Sequence, residues 1–312
     1  MQENGRGFGS FMDELFQILA LRGKLRYNHI CVKLSLKNKR VIARLFRTRF
    51  SVFLRESHGD WQYPFIVMGW LLSSLFVPRR KVSCDSVNFS LSCTNPITHF
   101  RWYLFARKEQ EVRQYINDFV KDGDVFFDVG ANVGVFSIYC ASRYPKTAVY
   151  SFEPEYSNLG ILKDNVIANQ LTGQIKITSV AVSDFGGLSY LNVQDLSPGA
   201  AAATEHCSEL VKTEEGYKVV WQEGIACATL DALASHHNVA PNALKIDTDG
   251  NEDRVLRGAS RVIANPALRS VTLEMPMKPD KIAFCELTLK QAGFVLNWAR
   301  PTTRNQIWIR KP

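Results

Sequence analysis

The sequence predicts an α/β fold, a mainly parallel sheet with helices on both faces. Strand-like and helix-period segments alternate from about residue 80 to the end of the chain. The strand-like runs are short and largely apolar, as strands covered on both faces are. One of them, VFFDV, runs straight into a glycine-rich turn, GANVG, where such folds place their ligands.

Taken in order, EQEVRQYINDFVKDGD sets Val112, Tyr115, Ile116 and Phe119 at i, i+3, i+4 and i+7, an amphipathic helix ending before Gly123. VFFDV is a buried strand, GVFSIYCASRY a helix stopped by Pro145, and AVYSFEP a second strand stopped by Pro154. Ser157 reads as the N-cap of the helix SNLGILKDNVIANQL, and IKITSVAVSD as a third strand. A polar stretch from about 184 to 224 interrupts the series. TLDALASHHN (helix), ALKIDTDG (strand), EDRVLRGASRVIAN (helix), SVTLEMP (strand) and IAFCELTLKQAGF (helix) resume it. FVLNW and NQIWIR close the chain as a strand pair, which suggests an antiparallel edge.

Composition bounds the class. A chain of 312 residues, 46% hydrophobic and 22% charged, buries a large core. Its seven cysteines are widely spread, without CxxC or Cys/His spacing, and read as reduced thiols of a cytoplasmic protein. Early Glu3, Asp13 and Glu14 and the lack of a small-residue cleavage site after LFQILALRG argue against a secretory signal. PFIVMGWLLSSLFV, residues 64–77, is too short to span a bilayer. It reads as a buried helix or as an interfacial segment with Arg79, Arg80 and Lys81 at its edge.

Charge separates residues 1–80, a basic, partly apolar helical extension, from a main domain at 81–312. Residues 1–60 hold twelve Lys/Arg against five Asp/Glu, nearly the whole net charge of +8. KNKRVIARLFRTRFSVFLRES suits a basic amphipathic helix that meets an anionic glycan or the inner face of a membrane, or else a solvated helix face. No zinc-finger spacing or RNA-binding aromatic signature is present, so nucleic acid is not an expected partner.

The turn after VFFDV decides the ligand class. It reads DxGxNxG, from Asp128 through Gly130, Ala131 and Asn132 to Gly134, and not the GxGxxG of a dinucleotide site. A carboxylate in first position repels phosphate and attracts an ammonium, while the glycines admit a ligand to the backbone. Glu153, 25 residues on and followed by Pro154, stands where a ribose reader is expected. An amino-acid ammonium at one end and a ribose at the other describe S-adenosylmethionine.

GDVFFDVGANVGVFS, VYSFEP, AVSDFGG, LKIDTDGNEDRVLRGA and SVTLEMP together resemble the FkbM family of class I S-adenosylmethionine-dependent methyltransferases, over about residues 97–310. The resemblance implies a Rossmann-like, seven-stranded sheet with the last strand antiparallel, and O-methyl transfer to hydroxyls of sugars, complex glycosides or polyketides. It implies cofactor contacts at Asp128, Gly130, Asn132, Gly134 and Glu153, with Ala181, Val182 and the residues up to Asp184 near the adenine. Asp249 departs from the family pattern, which has glutamate there, and residues 1–80 have no counterpart in its common core.

Methyl transfer from a sulfonium needs an acceptor oxygen held about 3 Å from the methyl, and a base for its proton adds about 10² to 10⁴ in rate. Lys245, Asp247, Asp249 and Glu252 gather at the end of ALKIDTDG, across the cleft from Asp128. Asp247 is the first candidate for base or hydroxyl orienter, Glu252 the second and Glu274 the third; Glu252 and Asp253 equally suit a helix N-terminus. No metal is expected, because the acids do not form an octahedral set. His206 lies in the long insertion, which reads as a mobile loop or as a lid over the cleft; facing the cleft it would be a rival base. His236 and His237 are expected in a surface loop. The competing reading is a non-catalytic binding or scaffolding protein that keeps the fold.

Overall fold

The computed structural model describes residues 78–105, 110–200, 203–206, 219–299 and 304–311. All belong to one compact unit, Val77–Pro312. Arg79 and Arg80 open its first strand, and the other expectations for the N-terminal extension lie outside the described residues.

The unit opens with a hairpin, β1 (Arg79–Cys84) and β2 (Val87–Ser92), whose two-residue turn holds Asp85 and Ser86 at φ 49° and 64°. No sequence signal had marked it as a hairpin. Its free edge is covered by side chains: Asn169 accepts from Ser90 N and Asn165 from Ser92 N, each at 2.8 Å. Then follow α1 (Pro96–Phe105), α2 (Gln110–Phe119), β3 (Val125–Val129), α3 (Val135–Arg143), β4 (Ala148–Phe152), α4 (Tyr156–Ala168) and β5 (Ile175–Thr178). The second half comprises β6 (Ala181–Val182), β7 (Gly187–Val193), β8 (Ala203–His206), β9 (Trp221–Ala228), α5 (Leu230–His237), β10 (Ala243–Ile246), α6 (Glu252–Arg257), α7 (Ser260–Ala264), β11 (Ser270–Glu274), α8 (Pro279–Gln291), β12 (Phe294–Ala299) and β13 (Asn305–Arg310).

Seven strands form one sheet in the order β12-β13-β11-β10-β3-β4-β5. The hairpin, α2, α3 and α4 cover one face, and α5, α6, α7 and α8 the other. The closing strands make the antiparallel edge: β13 runs antiparallel between β11 and β12, and β12 is the outermost strand. Burial explains the order. Ile307 and Trp308, adjacent on β13 and so on opposite faces, are 5% and 0% exposed, whereas Leu296 on β12 is 45% exposed.

Three expectations are corrected. The third strand divides, because β5 ends at Thr178 and Ala181–Val182 pairs with β9 in another sheet. The polar stretch 184–224 is not a bare loop: β7 and β9 flank it and build, with β6 and β8, a four-stranded sheet around Leu191, Val193, Ile225 and Cys227. The N-cap of α4 is Glu155 and not Ser157, since the Glu155 carboxylate accepts from Ser157 N and Asn158 N. A carboxylate outbids a hydroxyl at a helix N-terminus, where the dipole adds to the hydrogen bonds.

Candidate active site

The turn between β3 and α3 is shaped by its protein neighbours. Gly130 sits at φ +74°, and a Cβ on it would lie 1.8 Å from Asp247 O. Gly134, at φ +81°, would place a Cβ 2.1 Å from Leu162 Cδ1. Both glycines therefore serve close packing of the chain on itself, and Gly130 also lines the cleft. Gly130 N and Ala131 N donate to Phe152 O, and Asn132, at φ 51°, donates its backbone N–H to Glu153 Oε2 at 2.7 Å.

Asp128 is not among the residues that line the pocket. It is fully buried, accepts from Ser137 Oγ at 2.6 Å and lies 3.1 Å from Lys245 Nζ. It braces the turn from behind, and the pocket wall at this point is Val129 and Gly130.

The pocket lies at the carboxyl ends of β3, β4 and β10. Of the expected cofactor residues, Gly130, Glu153, Pro154, Ala181 and Val182 line it, and Asp247 stands on its rim. Phe152, Val180 and Leu191 extend the apolar wall, and Asn158, Ala200, Thr248 and Asn251 complete it. The segment ending at Ala200 is strapped across the opening: Asn132 Nδ2 donates to Ala200 O, Gly199 N to Asn158 Oδ1, Asn95 Nδ2 to Pro198 O, and Arg101 Nε to Gly199 O. Nothing in the local pattern announced Asn158 or Ala200, since their roles come from contacts 41 and 68 residues away.

Glu153 is 5% exposed, and its Oε1 accepts from Glu155 N and Asn158 Nδ2. Burial pushes its carboxyl up to about 7, against the pull of these hydrogen bonds. On the opposite wall Asp247 meets Lys245 Nζ at 3.4 Å and is hydrogen-bonded to Glu274. Burial opposes the Asp247 charge, but the Lys245 ammonium and the Glu274 hydrogen bond outweigh it and hold its carboxyl below the ordinary value. Burial and the Asp247 charge push Glu274 up to about 8, although Arg304 Nη2 lies 2.8 Å from its Oε1. The charge of the pair thus favours Asp247 and the proton Glu274. Oxygens of Asp247, Asp249 and Glu274 lie within 4.8 Å of one another, with Lys245 and Arg304 as internal counter-charges.

Glu252 is placed differently. It is 1% exposed, and its Oε1 accepts from Thr248 N, Thr248 Oγ1 and Gly250 N, so it holds the rim loop in shape from within. That loop carries Asp249 at φ 52°, a left-handed conformation in which aspartate is enriched and glutamate is not, which suits the shorter acid found here. Asp184 is bound by Arg254 at 2.8 Å and does not line the pocket. His236 and His237 end α5 and are not in a loop; the His237 ring packs 4.8 Å from that of Tyr150. His206 lies on β8, and its side chain is outside the described residues.

A seven-stranded sheet in this order, with one antiparallel strand inserted next to the edge, is the arrangement of class I S-adenosylmethionine-dependent methyltransferases. The lining fits that donor in kind: Glu153 is a buried carboxylate able to accept hydrogen bonds, beside an apolar wall of Phe152, Val180, Ala181 and Val182. The family model described as the methyltransferase FkbM domain matches residues 128–296, more than half of the 312-residue chain, and the chain belongs to that family.

Among relatives, the 31-O-demethyl-FK506 methyltransferase FkbM of Streptomyces tacrolimicus is 28% identical over 197 residues, 57% of this chain and 75% of that protein. The hexuronic acid methyltransferase AglP of Haloferax volcanii is 26% identical over 204 residues, 65% and 76% of the two chains. Solved structures with similarity include precorrin-6y C5,15-methyltransferase from Geobacter metallireducens (TM-score 0.39, 13% identity, 66% of this chain and 90% of that one). The ribosomal protein L11 methylase from Lactobacillus delbrueckii gives a TM-score of 0.38 at 11% identity, over 66% and 80%. The protein is an S-adenosylmethionine-dependent methyltransferase. Among the described residues no helix is long and apolar enough to cross a membrane, and Cys84, Cys93, Cys140, Cys227 and Cys285 are free thiols.

Proposed function

We propose that the protein methylates a hydroxyl of a sugar in a glycan, glycolipid or glycosylated metabolite. The observation that carries this reading is the Asp247–Glu274 pair on the pocket rim, whose oxygens lie within 4.8 Å of each other, with Asp247 held toward its charged form and Glu274 pushed toward its neutral one. When bound, S-adenosylmethionine supplies an electrophilic methyl. Asp247, 41% exposed, accepts the proton of the incoming hydroxyl, and Glu274 orients it by its hydrogen bond. Glu153 receives the donor's ribose hydroxyls, and the strap at Ala200 excludes water from the donor side. Asp128 and Gly134 support that pocket from behind, and Asn132 ties its turn to the strap. One relative is named for a 31-O-demethyl substrate, which agrees with an oxygen acceptor, and another for a hexuronic acid, which agrees with a sugar. The basic region within residues 1–80 is assigned to holding an anionic acceptor or a membrane surface, on its excess of twelve Lys/Arg over five Asp/Glu in the first 60 residues.

Incubation with methyl-labelled S-adenosylmethionine and fractionated extracts is expected to label a polysaccharide, glycolipid or glycoside fraction. Label found in protein or nucleic acid instead would overturn the assignment. Donor binding carries a second expectation. Ribose hydroxyls donate to an ionised Glu153, and that acid is protonated below about 7. Calorimetric affinity for S-adenosylhomocysteine should therefore fall about tenfold per pH unit below that midpoint and level off above it. Glu153→Gln should be weaker and flat with pH; an equally steep profile in this variant would assign the titration to another group.

A further inference from the structure

Lys245 is an odd occupant for the middle of a parallel strand. Its neighbours on β10 are Ala243, Leu244 and Ile246, all fully buried, and Lys245 itself is 2% exposed. In register across the sheet it lies beside Asp128 on β3 and Thr272 on β11, and Ser151 on β4 continues the row beyond Asp128. An ammonium has three protons to place, and three oxygens surround this one: Asp128 Oδ1 at 3.1 Å, Gly130 O at 3.2 Å and Asp247 Oδ2 at 3.4 Å. One belongs to the sheet, one to the backbone of the donor turn and one to the rim acid.

We infer that Lys245 is a positioning residue that decides which member of the Asp247–Glu274 pair keeps the shared proton, and so which one can take a proton from the acceptor. This deepens the reading proposed above and rests on it. Among the described residues the charged groups facing Asp247 are Lys245 from β10 with Asp128 behind it, Arg101 from α1, Glu274 from β11 with Arg304 alongside, Asp249 from the rim loop and Glu252 from the start of α6. Two cations compete over the pair. Arg304, 2.8 Å from Glu274, favours a charge on Glu274, and Lys245, 3.4 Å from Asp247, favours it on Asp247. Lys245 prevails because its ammonium is buried and barely screened, while 42% of the Arg304 side chain is in solvent. Because the same ammonium grips Gly130 O, the donor turn and the rim acid share one anchor.

The test is a carboxyl-¹³C NMR titration of protein labelled at aspartate and glutamate, without donor or acceptor, with Asp247→Asn and Glu274→Gln identifying the two signals. In the native protein Glu274 is expected to carry the higher midpoint. In Lys245→Met the order reverses, Glu274 being ionised first beside Arg304 and Asp247 holding the proton longer. Since Lys245→Met strands Asp128 as a buried charge, the pair Asp128→Asn and Asp128→Asn/Lys245→Met repeats the comparison with that charge removed. Glu274 keeping the higher midpoint in both lysine-free proteins overturns the proposal, as does a native protein in which Asp247 already holds it. The titration needs no methyl transfer, so a failed acceptor assignment leaves its result intact.

Discussion

Asp128→Ala is expected to remove about 3–5 kcal/mol of stability, because it deletes one partner of a fully buried ion pair and leaves the other uncompensated. The loss also strips Ser137 Oγ of its acceptor 2.6 Å away and disturbs the Ser137–Ser151 hydroxyl contact at 2.7 Å. Domains are typically stable by about 5–15 kcal/mol, so the variant should unfold at distinctly lower urea concentration. Removing both charges, as Asp128→Asn with Lys245→Met, should recover much of the loss, since a neutral pair has no buried charge to desolvate. A variant as stable as the native protein that no longer binds S-adenosylmethionine would return Asp128 to the role of direct ammonium ligand.

Gly130→Ala should be nearly as costly. The added methyl meets Asp247 O at 1.8 Å, and that atom is backbone with no rotamer to yield. Overpacking of this kind costs about 1–3 kcal/mol, and a left-handed conformation at a residue with a Cβ adds about 1–2 kcal/mol. Relief requires the β3–α3 turn and the β10 rim to part, which moves Gly130 and Asp247, two neighbouring residues of the pocket lining. Urea denaturation reads the first effect and calorimetry with S-adenosylhomocysteine the second. A stable variant with native donor affinity would mean that the two loops are free to separate.

The two substitutions mark where local pattern and tertiary contact divide the information. The strand–helix alternation, the DxGxNxG turn and Glu153 at the end of the next strand were legible because each depends on neighbours close in sequence: periodicity, turn chemistry and strand ends. The donor class followed from the same short stretches. The destination of the Asp128 carboxylate was not legible, because its partner Lys245 lies 117 residues further on and meets it through the pairing of β10 with β3. The role of Glu252 was open for a similar reason. Its spacing suits both a helix N-terminus and a catalytic acid, and the three hydrogen bonds it accepts from the rim loop appear only once that loop is folded over it.

The same division holds for the fold. Sequence alone determined the layered α/β class and pointed to the strand ends where the pocket lies, since apolar runs and turn chemistry are properties of the chain itself. Only the tertiary structure decided the position of β13, the small second sheet built from the polar stretch, and the strap over the donor pocket. Each of these rests on hydrogen bonds and burial between residues far apart in sequence, and no local propensity distinguishes one such pairing from another. The protonation of the rim acids belongs to the second group as well. Charge state follows from distance and desolvation, and it was the folded chain that brought Lys245, Asp247, Glu274 and Arg304 together.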